Sequence, residues 1–143
     1  MKLPDVNLFL YAYDSESPHQ RAAQEWLEKA MGGTETIALA WAVLVGFIRL
    51  STKPAVFTMP LAVDVAIDLV HVWLAQPVAT VVHPSDRHAA VLSDLLQPLG
   101  TAGNLTSDAH LAALAIEHGA TLYSADNDFS RFAGLSWVDP LRD

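Results

Sequence analysis

The stretch TSDAHLAALAIEHGATLYSADND, Thr106 to Asp128, decides the architecture. Thr106 or Ser107 offers a side-chain oxygen to cap a helix over Asp108–His118. Gly119 stops that helix, because glycine enters the left-handed region that ends helices without a steric penalty. Thr121–Tyr123 then reads as a strand, and Ser124–Asp128 as a polar loop carrying two acids. Helix, tight turn, strand and acidic loop make one αβ unit of a layered domain.

Upstream the alternation recurs. Lys2–Asp5 reads as an opening strand, with a helix over Val6–Tyr13 directly after it. Ser17 and Pro18 signal another helix start, as cap and first helical residue. That helix runs to about Met31 and ends at Gly32 and Gly33. Thr36–Ala40 is a short apolar strand, and Trp41–Ser51 a helix apolar nearly all round. Met59 and Pro60 open a helix over Leu61–Ala75, whose polar residues Asp64, Asp68 and His71 form one narrow stripe. So much apolar surface implies burial of more than one face, against a second subunit or a partner. The β-branched run Val78–Val82 makes Pro77–His83 a strand. Asp86–Leu96 is helical and Gly100–Asn104 a loop. Past the acidic loop come a helical turn over Phe129–Phe132 and a last short strand, Ser136–Val138.

Strands alternating with helices predict an α/β fold with a mostly parallel central sheet. No repeat, low-complexity tract or Gly/Ser linker divides the 143 residues, so positions 1–143 are expected to form a single domain. Apolar residues make up 52% and charged residues 17%, which excludes disorder by composition. The formal net charge of −8 excludes a general nucleic-acid coat, since such binding needs a basic surface. Chemistry on RNA or DNA would need a local positive device, such as a metal ion, or a basic partner. With no cysteine, thiolate nucleophiles, Cys-ligated zinc and iron–sulfur clusters are excluded. Asp5 and Asn7 interrupt the N-terminus before any secretory apolar region, and the apolar run Ile37–Leu50 is too short to span a bilayer. The expected compartment is the cytoplasm.

Ligands of parallel sheets bind beyond the carboxyl ends of the strands. Asp5 ends the first strand, Asp126 and Asp128 follow the strand Thr121–Tyr123, and Asp108 opens the helix leading into it. Two ionised carboxylates about 4 Å apart repel by roughly 4 kcal/mol at the effective dielectric of a protein surface. Several in one pocket call for protons or a divalent cation, and hard oxygen ligands select Mg²⁺ or Mn²⁺. Each acid also has an ordinary reading: a loop acid for Asp5, a helix-dipole partner for Asp108, an Asx-rich turn for Asp126-Asn127-Asp128. The six histidines lack metal-ligand spacing and are read as solvated or packing residues. There is no G-x-S-x-G turn, Walker A loop or G-x-G-x-x-G.

Taken in order, these segments resemble the PIN-domain family, in particular the VapC-type ribonuclease toxins of toxin–antitoxin systems. Leu3-Pro4-Asp5-Val6-Asn7 is similar to the family's D-x-N element at its first strand. Ser17-Pro18-His19 with Ala22 and Trp26-Leu27 is similar to its second helix. Gly46-Phe47-Ile48-Arg49 resembles the third-helix signature of one branch. Asn104–Ala115 resembles the segment bearing the third acid, and Leu122–Phe129 the last acidic motif.

The resemblance implies a three-layer α/β/α sandwich and Mg²⁺-dependent endoribonuclease activity, with Mn²⁺ as substitute. It implies Asp5, Asp108 and Asp126 as the metal-holding carboxylates, with Asp128 as an auxiliary catalytic acid. Ser124 falls where the family has Thr or Ser and would orient a carboxylate or water; Asn7 belongs to the D-x-N element. Arg49 has two readings of equal standing, a phosphate contact and a packing or ion-pair role. RNA is the implied substrate, a VapB-like antitoxin and a second copy of the chain the implied partners; no membrane is involved. Gly46 stands where many relatives carry Glu, and its structural reading is close approach of the helix to the sheet. Two competing functions are a degenerate PIN-like module that holds an antitoxin or RNA without cleavage, and a phosphoryl-transfer α/β domain. Metal binding without cleavage of any RNA favours the module. The phosphoryl-transfer reading fits the motif order poorly, because Asp126-x-Asp128 comes late in the chain.

Overall fold

A computed structural model describes residues 1–142. Asp143, the last residue of the expected single-domain span, lies outside the described residues. Five strands, β1 (Lys2–Pro4), β2 (Ile37–Ala40), β3 (Ala79–Val82), β4 (Thr121–Tyr123) and β5 (Trp137–Val138), form one sheet in the order β3-β2-β1-β4-β5. Every pairing is parallel. Six α-helices connect them: α1 (Val6–Tyr13), α2 (Gln20–Met31), α3 (Trp41–Ser51), α4 (Val63–Leu74), α5 (His88–Leu96) and α6 (Thr106–Glu117).

The order of the strands positions the site. The chain lays β2 and β3 on one side of β1, then returns to place β4 and β5 on the other. Parallel crossovers are right-handed. The helices of the outward path, α1 to α4, therefore cover one face, and α5 and α6 cover the other. The result is an α/β sandwich around a parallel sheet. Its winding reverses between β2 and β4 at β1, and there the carboxyl ends of β1 and β4 bound a crevice of the kind that receives ligands.

The buried sheet residues Leu3, Ile37, Ala38, Leu39, Ala40 and Leu122 form the middle of the core. On α6 the run Leu111–Ala115 is buried throughout, with Ala at 112, 113 and 115 letting the helix lie close to its neighbours. An aromatic cluster joins three helices of the other layer. The Trp73 ring of α4 lies 4.4 Å from Phe9 of α1 and 4.8 Å from Phe47 of α3, centroid to centroid. Among the described residues, no helix is long and apolar enough to cross a membrane.

Some expectations need correction. The helix expected over Leu61–Ala75 is regular only from Val63 to Leu74, and only one stripe of it, Ala66, Val70 and Trp73, is buried. Val63, Val65, Ile67 and Val72 stay exposed. Ser17 does not cap a helix starting at Pro18: its Oγ accepts from the His19 amide, and α2 begins at Gln20. Neither Thr106 nor Ser107 caps α6, which continues out of a 3₁₀ turn over Gly103–Leu105 with no side-chain cap. Gly119 does adopt φ +64°.

The histidines are not all simple surface or packing groups. His88 joins Glu117 and His110 in a hydrogen-bonded row that ties α5 to α6. Burial works to raise the Glu117 pKa, but hydrogen bonds from Ser85 and His88 outweigh it and hold the carboxyl below its usual range. Spacing along one helix gave no sign of this row, because His88 comes from α5 and the other two residues from α6.

Ser51 is fully buried, and its Oγ is the one buried side-chain polar atom without a hydrogen-bond partner among the described residues. Replacing it with alanine removes an unsatisfied hydroxyl. Ser51→Ala is expected to raise stability by about 1 kcal/mol, read as a higher urea midpoint at unchanged slope.

Candidate metal centre

Asp5 is the residue at which β1 becomes α1. Its backbone is extended (φ −78°, ψ 162°), and its amide bonds the Tyr123 carbonyl of β4 at 2.8 Å. The side chain caps the helix: Oδ1 accepts the Val6 amide at 2.7 Å. Oδ2 accepts the Ser124 hydroxyl at 2.7 Å and the Asn7 amide at 3.3 Å. Ser124 is wholly buried at the end of β4. Its oxygen also accepts from Asn7 Nδ2 and from the Asp126 amide, each at 3.0 Å. Its carbonyl receives the Trp137 indole N–H of β5 at 2.9 Å. One hydroxyl thus links the ends of β1 and β4 and shapes the loop that carries the next acids.

That loop is itself capped. Asp126 Oδ1 accepts the Asp128 amide at 2.9 Å and starts a 3₁₀ turn over Asn127–Arg131. Asp108 reaches the same place from the first turn of α6. Oxygens of Asp108, Asp126 and Asp128 all lie within 4.8 Å of one another. Asp5 stands outside this trio but beside it, sharing a cavity wall with Asp108.

The electrostatics of the group follow from this crowding. Burial pushes the Asp5 pKa up; hydrogen bonds from Ser124 and Val6 work against that shift, and Asp126 adds to it. Asp108 is pushed up to about 6, by burial first and then by the charges of Asp126, Asp5 and Asp128. Among the described residues, the only cation paired with these acids is Arg131, whose Nε lies 3.8 Å from Asp128 Oδ1 at the exposed surface. Four acids with so little counter-charge fit a divalent ion bound by hard oxygens. Asp126 and Asp128 keep oxygens toward Asp108 while the Asp5 carboxylate is committed to protein donors.

Arg49 and Gly46, on successive turns of α3, line that cavity together with Asp5, Asp108 and Ser107. The ion-pair reading of Arg49 fails: its side chain is exposed and meets no carboxylate among the described residues. Nor does Gly46 mark close approach to the sheet. A Cβ there would meet only Val6 Cγ2 of α1, at 3.6 Å, an ordinary contact. The role of Ser107 in this wall was not visible in the sequence, where it is merely a second hydroxyl at a helix start.

A family model for the PIN domain matches residues 2–135. The chain belongs to the PIN-domain family. The match spans every strand of the sheet except the last, two-residue one, and all four acids of the centre. Ribonuclease VapC37 of Mycobacterium tuberculosis is 45% identical over 140 residues, covering 98% of this chain and 97% of the relative. Ribonuclease VapC33 of the same organism is 42% identical over 143 residues, covering all of both chains. Solved structures agree on the PIN fold. One is VapBC2 of Rickettsia felis bound to a DNA fragment from its promoter, with TM-score 0.71, 19% identity and 96% of each chain covered. Another is Mycobacterium tuberculosis VapC20, described as a sarcin–ricin-loop-cleaving toxin, with TM-score 0.65, 16% identity, and 94% and 96% covered.

Proposed function

We propose that this PIN domain is the endoribonuclease toxin of a toxin–antitoxin pair, with Asp5, Asp108, Asp126 and Asp128 as its catalytic acids. The convergence of Asp108, Asp126 and Asp128 at the carboxyl ends of β1 and β4 carries the reading. Full-length similarity to proteins named ribonuclease VapC supports it. Asp108 and Asp126 would hold Mg²⁺, or Mn²⁺ in its place, with Asp128 or Asp5 completing the set. Such an ion supplies a bound water of lowered pKa and a counter-charge for the phosphodiester.

The chain's own residues prepare that chemistry. Ser124 and Asn7 fix the Asp5 carboxylate, so its orientation does not depend on a bound ligand. The capped turn at Asp126 aims Asp128 toward Asp108. Asp108, with its pKa near 6, gives up its last proton close to neutral pH. A cation at Asp108 therefore competes with that proton in mild acid, and the competition fades toward neutral pH.

The partner is read the same way. Structural relatives include VapBC complexes, and an antitoxin presenting a basic side chain suits an acidic crevice in a chain of net charge −8. Trp41 and Val45 of α3 and Val63, Val65, Ile67 and Val72 of α4 are exposed, and covering them suits a homodimer. The reading places the protein in the cytoplasm, where RNA is at hand, and treats positions 1–143 as one domain.

The test is direct. Purified protein with Mn²⁺ should cut single-stranded RNA to fragments with 5′-phosphate ends, and a chelator should stop it. Manganese binding by calorimetry with no cleavage of total RNA would select the non-catalytic module instead.

A further inference from the structure

Beside the acids lies a cavity of about 200 Å³ that the chemistry of the carboxylates does not use. It lies between α1, α3 and the start of α6, with Asp5 and Asp108 in its wall beside Val6, Gly46 and Arg49. Its walls are mostly apolar. Its polar groups are the two acids, one hydroxyl and one guanidinium. Gly46 contributes no side chain to this space, and a Cβ there would meet only Val6 Cγ2 at 3.6 Å, an ordinary contact. Nothing crowds the backbone into requiring glycine, and a glycine inside a helix is otherwise a liability.

Arg49 is one turn further along α3, at the same wall. It is the one cation lining the cavity, and no carboxylate pairs with it among the described residues. The whole chain has only eight Lys and Arg residues, so an unpaired guanidinium beside an acidic centre stands out. Guanidinium groups bind phosphate oxygens through parallel N–H donors. A slot with apolar walls, a hydroxyl and an arginine suits a nucleotide: base or ribose against Val6, Val43, Leu50 and Leu111, phosphate on Arg49.

We propose that this cavity seats the nucleotide next to the cleaved bond of a single-stranded RNA, with Gly46 leaving the room and Arg49 holding the flanking phosphate. The proposal rests on the ribonuclease reading for its substrate, and it adds a positioning residue and a subsite to it. Arg49 holds the chain in register; the acids do the chemistry.

Binding is measured by anisotropy of a fluorescein-labelled single-stranded RNA of mixed sequence, with Ca²⁺ supplied as the counter-ion. Cleavage of the same RNA is measured with Mn²⁺. Arg49→Ala should weaken binding about tenfold. It should also flatten the plot of log affinity against log salt by about 0.7, one phosphate contact on a single strand. Its KM should rise with kcat nearly unchanged, and Arg49→Lys should restore the salt slope. Gly46→Leu fills the slot from a good helix former, so it should melt no lower than wild type while losing about tenfold or more in RNA affinity.

Wild-type salt slope and KM in Arg49→Ala, or wild-type affinity in Gly46→Leu, would overturn the subsite while cleavage by the wild-type chain upholds the nuclease. A wild-type chain that binds RNA without cutting it defeats the nuclease reading, and the anisotropy of the two variants still decides the subsite. Failure of the wild-type chain to bind RNA overturns both.

Discussion

Asp108→Asn is expected to abolish RNA cleavage and at the same time to make the metal-free protein more stable. Loss of activity follows from removing a member of the trio that would hold the ion. Several kcal/mol of charge stabilisation at the phosphodiester correspond to about 10³-fold or more in rate. The stability gain has a separate origin. Folded Asp108 keeps its proton to about pH 6, while the unfolded chain releases it near 3.8. Between those values the native state binds more protons, so metal-free stability falls as pH rises through that window and stays low above it. Burial moves Asp5 in the same direction.

The neutral amide escapes this cost. Asp108 is only half-buried, so solvent screening reduces the gain to about 1 kcal/mol at pH 7. Thermal melts in a chelator should therefore rank Asp108→Asn above wild type at pH 7 and level with it below about pH 4. Millimolar Mn²⁺ should reverse the pH 7 ranking, because ligand binding to the native state stabilises only the chain that keeps the site. A variant that loses cleavage but melts below wild type in the chelator would show that Asp108 acts through the fold.

The second large effect lies in the core. Trp73 is 4% exposed, and its ring contacts Phe9, Phe47 and Tyr13, drawn from α1 and α3. Only one stripe of α4 is buried, so this side chain is the main anchor of that helix. Trp73→Ala should cost about 3–5 kcal/mol through lost burial and the cavity left behind. Against a total of about 5–15 kcal/mol for an ordinary domain, that is a large fraction. The expected observation is a much lower urea midpoint. A midpoint close to wild type would mean that α4 is held by something other than this aromatic cluster.

The sequence made most of the layered architecture legible because its signals are local. Gly119 ends a helix by its own backbone freedom, and the run Val78–Val82 favours an extended chain by side-chain branching. Asp5, Asp108, Asp126 and Asp128 were legible as strand-end and helix-start acids once alternation implied a parallel sheet. What stayed hidden depended on pairs distant in the chain. Nothing near Ser124 shows that its hydroxyl bonds Asp5, 119 positions away. His88, His110 and Glu117 meet only when α5 lies on α6. Hydrophobicity along α4 does not say which of its faces this chain covers and which is left for a partner, and within the chain only Ala66, Val70 and Trp73 are buried.

The joining of β1 to β4 has a consequence for how the protein comes into being. A half-made chain has Asp5 but neither the hydroxyl that orients it nor the acids that face it. The last third of translation must be finished, and a long loop closed, before any centre exists. Until that closure is made, a nascent chain carries Asp5 without the Ser124 hydroxyl that orients it.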